Sequence, residues 1–511
     1  MIIDTHKKKP GLISVIFFSI GTMIGSGWLF AAYYSSKVAG GAAVLSWIIG
    51  AILVLFMAFI LAEVAIKYPV NSLFTRMASL SHNEHFGFVI AISNWLLGLI
   101  IVPSEATAST QYIATIYKPW ANYLVQNGEI TNLGMLVVLV FLALYFVLNY
   151  WGIQLLARIN NVITLIKLVV PAFTCIVIAI AAFDINNFVA YKHTFMPYGI
   201  TSVFSAIVSC GIFYSFFGFQ IAATFSAEMH NPRRNIPIAL ISSIVIVLII
   251  YISLQVVFIG ALPSEMIEQG WSHLNFDSPL AQLAGLLGIN FLVVILYADA
   301  FVSPSGTGIV YLGATSRMLN EMVKGDQLPK YFGNRNQTVQ FSRRALLITV
   351  ICSIVLVFFF RNWQLISSLA STFIVISCVA LPISYVKFLK DSDGLPVKLI
   401  PGLKYIAFFI YVCLSYFLLI SGSENIMVAF ILHVIFFICY ATSIDLSQKL
   451  KSVKQAALSA WTIFAYLCFI MIYALIGDQV SNNWVFYVVF FIVTIVFYPL
   501  LINQKKYSLN K

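Results

Sequence analysis

Apolar runs of about twenty residues recur from one end of this chain to the other, and such a sequence can fold into little besides a bundle of membrane-crossing helices. A helix needs roughly 20 predominantly apolar residues to cross about 30 Å of hydrocarbon. Fourteen segments qualify: 11–37, 41–66, 86–117, 131–151, 155–182, 198–228, 236–261, 279–320, 342–360, 363–388, 401–420, 424–446, 457–476 and 483–503. Segment 279–320 is too long for one straight span and should include a short extra helix. Hydrophobic residues make up 61% of the chain and charged ones 9%, so no stretch between the spans can build a soluble domain.

The net charge of +11 raises the question of a nucleic-acid partner, and its distribution argues against one. With the N-terminus inside, every Lys and Arg falls on the cytoplasmic side except Lys37, Lys118, Lys192 and Arg361 outside and Lys167 within a span. That asymmetry is the positive-inside rule, a topology signal. It puts the basic tail 1–10 in the cytoplasm, and an even number of spans returns the tail 504–511 there too. The longest inward polar stretches are 67–85, 321–344 and 389–400. The first apolar segment lacks a small-residue cleavage site, so no cleavable signal is expected.

The seven cysteines all lie in apolar segments without metal-ligand spacing and read as small hydrophobes. His82 and His85 stand three apart with no third ligand, so no metal is expected there. No nucleotide, cofactor or nucleophile motif is present on a cytoplasmic segment. The chain therefore reads as neither an enzyme nor an ATP-driven pump, with no cofactor.

Within the first span, Gly21-Thr22-Met23-Ile24-Gly25-Ser26-Gly27 is a poor helix interior. In lipid each unpaired backbone group costs several kcal/mol, so a broken helix survives only around a polar cavity or ligand. The alternative is that Gly21-x-x-x-Gly25 is a helix-packing face. Span six, five spans later, carries an echo in Phe213-Tyr214-Ser215-Phe216-Phe217-Gly218-Phe219-Gln220. Two interrupted spans at corresponding positions point to an inverted-repeat transporter with its site at the breaks. The repeats would cover 11–182 and 198–388, with 401–503 as four additional spans. Free amides at a half-helix N-terminus suit a carboxylate and free carbonyls suit an ammonium, so a zwitterionic amino acid fits such a site.

Lys167 lies mid-way through span five, where an ammonium costs about 2.5–3.5 kcal/mol. It is a candidate proton carrier, the alternative being that it snorkels to a membrane face. Glu105 follows Pro103 in span three, where it either takes a proton during transport or holds a helix bend together. Glu63, an i, i+4 neighbour of Lys67, reads as interfacial structure. Asp299 of span eight is a further functional candidate, and Ser303, Ser305 and Thr307 after it offer hydroxyls for a cation or back-bonding to their own helix.

Together these features resemble the amino acid–polyamine–organocation permeases. The marks are Gly-Thr-Met-Ile-Gly-Ser-Gly at 21–27, Ala62-Glu63, Phe216-Phe217-Gly218-Phe219, the loop Glu228-Met229-His230-Asn231-Pro232-Arg233-Arg234-Asn235-Ile236-Pro237, and Ser316-Arg317-Met318. In that loop Asn235 is expected to cap a helix with Pro237 in its first turn. The resemblance implies an all-α five-plus-five inverted repeat (LeuT-like) with discontinuous spans one and six. The substrate-binding set it implies is Thr22, Ile24, Gly25, Ser26 and Gly27 with Tyr214, Phe216, Phe217 and Gly218. Gly25, Ser26 and Gly27 would take the carboxylate, a carbonyl near Phe217 the amine, and Tyr214 would be an aromatic gate. Lys167 stands where proton-coupled members carry a span-five lysine, which implies a proton rather than sodium. Gln220 departs from the Glu often found there. The wording Gly-Ser-Gly-Trp-Leu-Phe is similar to bacterial aspartate–proton symporters. The resulting expectation is a proton-coupled amino acid symporter of a bacterial plasma membrane. An exchanger on the same scaffold and a non-transporting amino acid sensor are the rivals.

Overall fold

The computed structural model describes residues 11–504 except 71, 127, 152, 225–228, 230, 325–326, 329–330, 332–341, 391–394, 396, 445–448 and 481–483. The two basic tails, parts of the polar stretches 321–344 and 389–400, and Glu228 and His230 lie outside the described residues.

Span one is the pair α1 (Leu12–Met23) and α2 (Gly27–Ala39), and span two is α3 (Ala43–Lys67). The short α4 (Leu73–Ser81) leads to span three, α5 (Glu84–Ile116). Next come α6 (Lys118–Leu124) and a small antiparallel hairpin of β1 (Val125–Gln126) and β2 (Glu129–Ile130), with Val125 opposite Ile130. Spans four and five are α7 (Asn132–Trp151) and α8 (Ile153–Ala182). Span six is divided into α9 (Gly199–Ser209), α10 (Ile212–Phe216) and α11 (Ile221–Thr224), and span seven is α12 (Pro232–Gly260). After α13 (Ser264–Glu268), α14 (Pro279–Leu286) precedes span eight, α15 (Asn290–Lys324), so segment 279–320 does carry an extra short helix. Spans nine and ten are α16 (Arg343–Phe359) and α17 (Trp363–Lys390). The chain continues through α18 (Leu403–Leu419), α19 (Ser423–Ile444), α20 (Lys449–Val480) and α21 (Trp484–Ile502).

Each of the fourteen expected segments thus carries one to three helices. By length and composition alone, ten helical runs among the described residues could cross a membrane, or eleven with the bent pair in span six counted as one. The difference arises because α1 is short and α2 runs on into α3 as one stretch, and because α16 and α18 have only 17 residues each. The chain is an integral membrane protein.

Two spans form the centre. The apolar windows of α5 and α17 are buried along their whole length, and these helices pack on each other. Helix α15 packs against α5, and α12 against α3. The outer helices expose large aliphatic side chains such as Val140, Ile180, Ile431 and Ile492, which suits contact with lipid tails.

Lipid supplies no hydrophobic drive between helices, so the bundle relies on close packing and interhelical hydrogen bonds. The prolines show how. Pro103 inside α5 has no N–H for the carbonyl of Leu99, four residues back. Ser353 Oγ of α16 donates to that carbonyl at 3.0 Å. Pro304 inside α15 frees the Ala300 carbonyl in the same way, and Ser109 Oγ of α5 donates to it at 2.8 Å. Each kink is thereby stitched to a neighbouring helix.

One helix start differs from expectation. Helix α12 begins at Pro232, not beyond Asn235, with Asn231 in the left-handed region (φ 47°) at the N-cap position. Pro232 at the first position has no amide to leave unpaired, and Pro237 is carried inside the helix. The carbonyl Pro237 orphans is that of Arg233, an exposed residue near the helix end where water can serve it.

Replacing Ser353 by Ala removes the donor to the Leu99 carbonyl and should destabilise the protein by about 1 kcal/mol. Replacing Pro103 by Ala restores a backbone donor, so Ser353→Ala should cost little in that background. Thermal unfolding of the four variants measures this coupling, and equal costs in both backgrounds would refute it.

Candidate functional site

The break in span one is narrower than 21–27. Helix α1 ends at Met23 and α2 begins at Gly27, leaving Ile24 extended (φ −86°, ψ 91°) and Gly25 and Ser26 between the half-helices. Gly21 and Thr22 complete α1, with Thr22 Oγ1 donating to the carbonyls of Ser19 at 2.8 Å and Phe18 at 3.2 Å. Glycine is required by crowding: a Cβ on Gly25 would stand 2.5 Å from Glu105 Oε1, and one on Gly27 would run into Ser215 Oγ.

The carbonyls at the C-terminal end of α1 are met by side chains from three other spans. Lys167 Nζ of α8 donates to Gly21 O at 2.7 Å and to Thr307 Oγ1 of α15 at 2.5 Å. Thr307 Oγ1 donates in turn to Ile24 O at 3.2 Å. Tyr251 OH of α12 donates to Met23 O at 3.0 Å. Lys167 is 1% exposed, so its ammonium is held by these oxygens and does not reach a membrane face.

On the other side of the break, the Ser26 N–H at the start of α2 donates to Glu105 Oε2 at 2.7 Å. Tyr214 OH of α10 donates to Glu105 Oε1 at 2.5 Å. The same hydroxyl stands 2.5 Å from Ser104 Oγ and 3.4 Å from Ser26 Oγ. Trp363 Nε1 of α17 donates to Ser26 Oγ at 2.8 Å. The arrangement follows the half-helix dipoles, with a cationic side chain on the carbonyl end and a carboxylate on the amide end.

Span six breaks twice. The first is a bend of 49° between α9 and α10, centred on Gly211 at φ 79°. The second lies within the expected stretch, at Phe217–Gln220, where Phe217 is extended (φ −71°, ψ 131°) and Gly218 has φ 130°. A side chain on Gly218 would also meet Thr22, its Cβ 2.9 Å from the Thr22 carbonyl carbon. Tyr311 OH of α15 donates to Phe217 O at 3.3 Å, and the Gly218 N–H donates to Gln220 Oε1 at 2.9 Å. Phe216 is buried edge-on to Trp47 and Tyr251, at ring separations of 5.7 and 6.0 Å. Tyr214 meets Trp363 edge-on at 5.9 Å, and Trp363 stacks on Phe30 at 4.9 Å.

The structure therefore brings Gly25, Ser26, Glu105 and Tyr214 into one cluster, with Lys167 and Thr307 on the opposite flank of the break. Other candidates fall elsewhere. Ser303 Oγ donates to Asp299 Oδ1 at 2.8 Å, and Ser305 Oγ accepts from Tyr145 OH at 3.3 Å. Glu63, at the end of α3, takes Tyr385 OH at 2.7 Å and the Leu399 N–H at 2.6 Å, which ties α3 to α17 and to the approach to α18. His82 lies between Ser81 Oγ and the Leu501 carbonyl and stacks on Phe86 at 4.3 Å, while His85 meets Tyr440 OH at 3.0 Å. Sequence reasoning missed Tyr251, Tyr311, Trp363 and Ser104. Each is an ordinary residue of an apolar span, and only its position against a break gives it a task. Gly211 left a usable signal, a glycine beside Ser209 and Cys210 inside an apolar run.

The chain matches the profile of the family described as Amino acid permease over residues 11–438. It is 37% identical over 405 residues to the glutamate/serine transporter AimA of Bacillus subtilis, covering 78% of this chain and 75% of that one. It is 28% identical over 479 residues to the aspartate-proton symporter of the same organism, covering 92% and 91%. In fold it is similar to the crystal structure of an Eremococcus coleocola manganese transporter variant, with a TM-score of 0.52 at 13% identity over 94% of this chain and 97% of that one. The architecture is the five-plus-five inverted repeat with discontinuous first and sixth spans. Matched over most of its length by the family profile, this chain belongs to the amino acid permease family.

Proposed function

We propose that this permease is a proton-coupled amino acid symporter of a bacterial plasma membrane, working by alternating access with both termini in the cytoplasm. The observation that carries this reading is the Lys167 ammonium, which ties span five to the Gly21 carbonyl of span one and to Thr307 of span eight. A cation is needed there to hold the carbonyl end of α1. A lysine supplies one that comes and goes with a proton, so the hold of span eight on span one loosens when the proton leaves. Glu105, on the amide side of the same break, is the second proton-coupling residue of this reading.

The substrate's carboxylate suits the amides of Gly25, Ser26 and Gly27, and its ammonium suits the Phe217 carbonyl. Thr22, Ile24 and Gly218 shape the backbone around it, and Tyr214 and Phe216 close its aromatic side. The relatives named for glutamate, serine and aspartate set the probes.

Proteoliposomes with an imposed inside-alkaline gradient should accumulate labelled L-glutamate, L-serine or L-aspartate, and a protonophore should collapse the accumulation. Absence of uptake for all three, or uptake indifferent to both pH and membrane potential, counts against the reading. Counterflow that requires internal amino acid, without net uptake, would point to exchange instead. Lys167→Ala should lower gradient-driven accumulation at least tenfold, and unchanged accumulation would remove Lys167 from the mechanism. Gly25→Ala puts a methyl 2.5 Å from the Glu105 carboxylate and should reduce uptake to background while the protein still elutes as a single species. Wild-type uptake by that variant would mean the break is not where substrate passes.

A further inference from the structure

The amide end of the break already holds a carboxylate, and it belongs to the protein. Glu105 accepts the Ser26 N–H at 2.7 Å and the Tyr214 hydroxyl at 2.5 Å, and it is 1% exposed. The Ser26 amide cannot hold two carboxylates at once. Gly25 has no room for a side chain because the Glu105 carboxyl is packed against it. A substrate whose carboxylate is to reach this half-helix terminus must therefore displace Glu105.

We infer that Glu105 is a tethered competitor for the substrate carboxylate, and that it yields the Ser26 amide to substrate by taking up a proton. Resting on the transport reading above, this names how the proton and the amino acid are linked at one site. The step changes no oxidation state: an O–H bond breaks in a hydronium ion of the medium as one forms on Glu105. A proton from the medium adds to the Glu105 carboxylate, the neutral acid withdraws, and the incoming carboxylate takes over the Ser26 N–H. Loss of that proton on the far side returns the Glu105 anion to the amide and ejects the substrate carboxylate.

The charged and titratable groups that act on this carboxylate are Lys167 of α8, Tyr145 of α7, Tyr214 of α10, Tyr251 of α12 and Tyr311 of α15, while Asp299 of α15 acts on Lys167. Tyr214 donates a side-chain hydrogen bond to the Glu105 carboxylate, and the Ser26 hydroxyl acts on it as well. A carboxylate that must be protonated for substrate to bind couples the two in a fixed direction. Apparent affinity is highest at low pH and falls by up to tenfold per pH unit once Glu105 is ionised in the unbound protein.

The test measures equilibrium binding of labelled L-serine, L-glutamate and L-aspartate to the purified full chain between about pH 5 and pH 8. Wild type should lose affinity as pH rises. Glu105→Gln should bind with a flat profile and exceed wild type at the high-pH end, because a neutral amide yields the Ser26 N–H without a proton. Its ligand binding at low pH is its own control for folding. Tyr214→Phe removes one donor from the Glu105 anion and should shift the wild-type fall to higher pH with its slope kept. A Glu105→Gln profile that still slopes like wild type overturns the inference while leaving transport intact. So does displacement of bound L-serine by ethanolamine (the carboxylate-free analogue) as effective as by L-serine itself, since such a ligand leaves Glu105 on its amide. Failure of wild type to bind any of the three amino acids at any pH overturns the transport reading together with this one.

Discussion

Backbone groups released by a broken helix in hydrocarbon must find partners inside the protein, and the rest of this molecule is arranged around that need. An orphaned group at that depth costs several kcal/mol, whereas a single made bond contributes only about 1 kcal/mol net. Break and caps are therefore inseparable: Lys167 on Gly21 O, Tyr251 on Met23 O, Thr307 on Ile24 O, Glu105 on Ser26 N–H, Tyr311 on Phe217 O and Gln220 on Gly218 N–H. The caps come from spans three, five, seven and eight and from span six itself. Opening a pathway through the breaks thus means exchanging partners, since simply losing them is too costly.

The same logic explains why the central spans look unlike lipid-facing ones. Helix α5 is apolar enough to cross a membrane yet carries Ser93, Ser104, Thr107, Ser109 and Thr110, all buried. Some of these hydroxyls work outward, as Ser109 does on the carbonyl that Pro304 frees. Others work toward the site, as Ser104 does beside Tyr214. Most of these hydroxyls meet a partner, whether a proline-freed carbonyl, a residue at a break, a neighbouring helix or their own turn, while Thr107 Oγ1 meets none among the described residues. The outer spans expose large apolar side chains instead, aromatic ones such as Phe173 and Phe409 as well as aliphatic ones.

How much of this was legible beforehand depends on what kind of signal each residue leaves. The spans were readable because crossing a bilayer demands length and apolarity, which a single sequence displays directly. The first break was readable because Gly25-Ser26-Gly27 is costly in a helix, and Lys167 because a charge in mid-span has no bland use. The extent of the break was not readable: Gly21 and Thr22 stay helical because Thr22 can bond back to its own turn. The start of α12 is ambiguous in sequence because Pro232 and Pro237 both suit a helix entrance, and the structure uses the earlier one at the first position. Tyr251, Tyr311 and Trp363 were invisible. A tyrosine or tryptophan in an apolar run carries no mark that its polar tip meets a group two, six or nine spans away in sequence.

Charge balance links the two ionisable caps. Lys167 and Glu105 flank one three-residue gap, a cation on the carbonyl end and an anion on the amide end, so with both ionised the break holds no net charge. Burying a single uncompensated charge there would be far more costly than burying the pair. A zwitterionic amino acid brings an ammonium and a carboxylate and leaves that balance untouched, but its carboxylate cannot share the Ser26 amide with Glu105. Neutralising Glu105 as the substrate carboxylate arrives keeps one anion at the amide end throughout, and the substrate ammonium then accounts for the added unit of positive charge. Neutralising Lys167 instead would leave the carbonyl end of α1 without its cation while the amide end still had two claimants. In the proposed mechanism the two residues therefore divide the labour, Glu105 governing entry of the substrate carboxylate and Lys167 the hold of spans five and eight on span one.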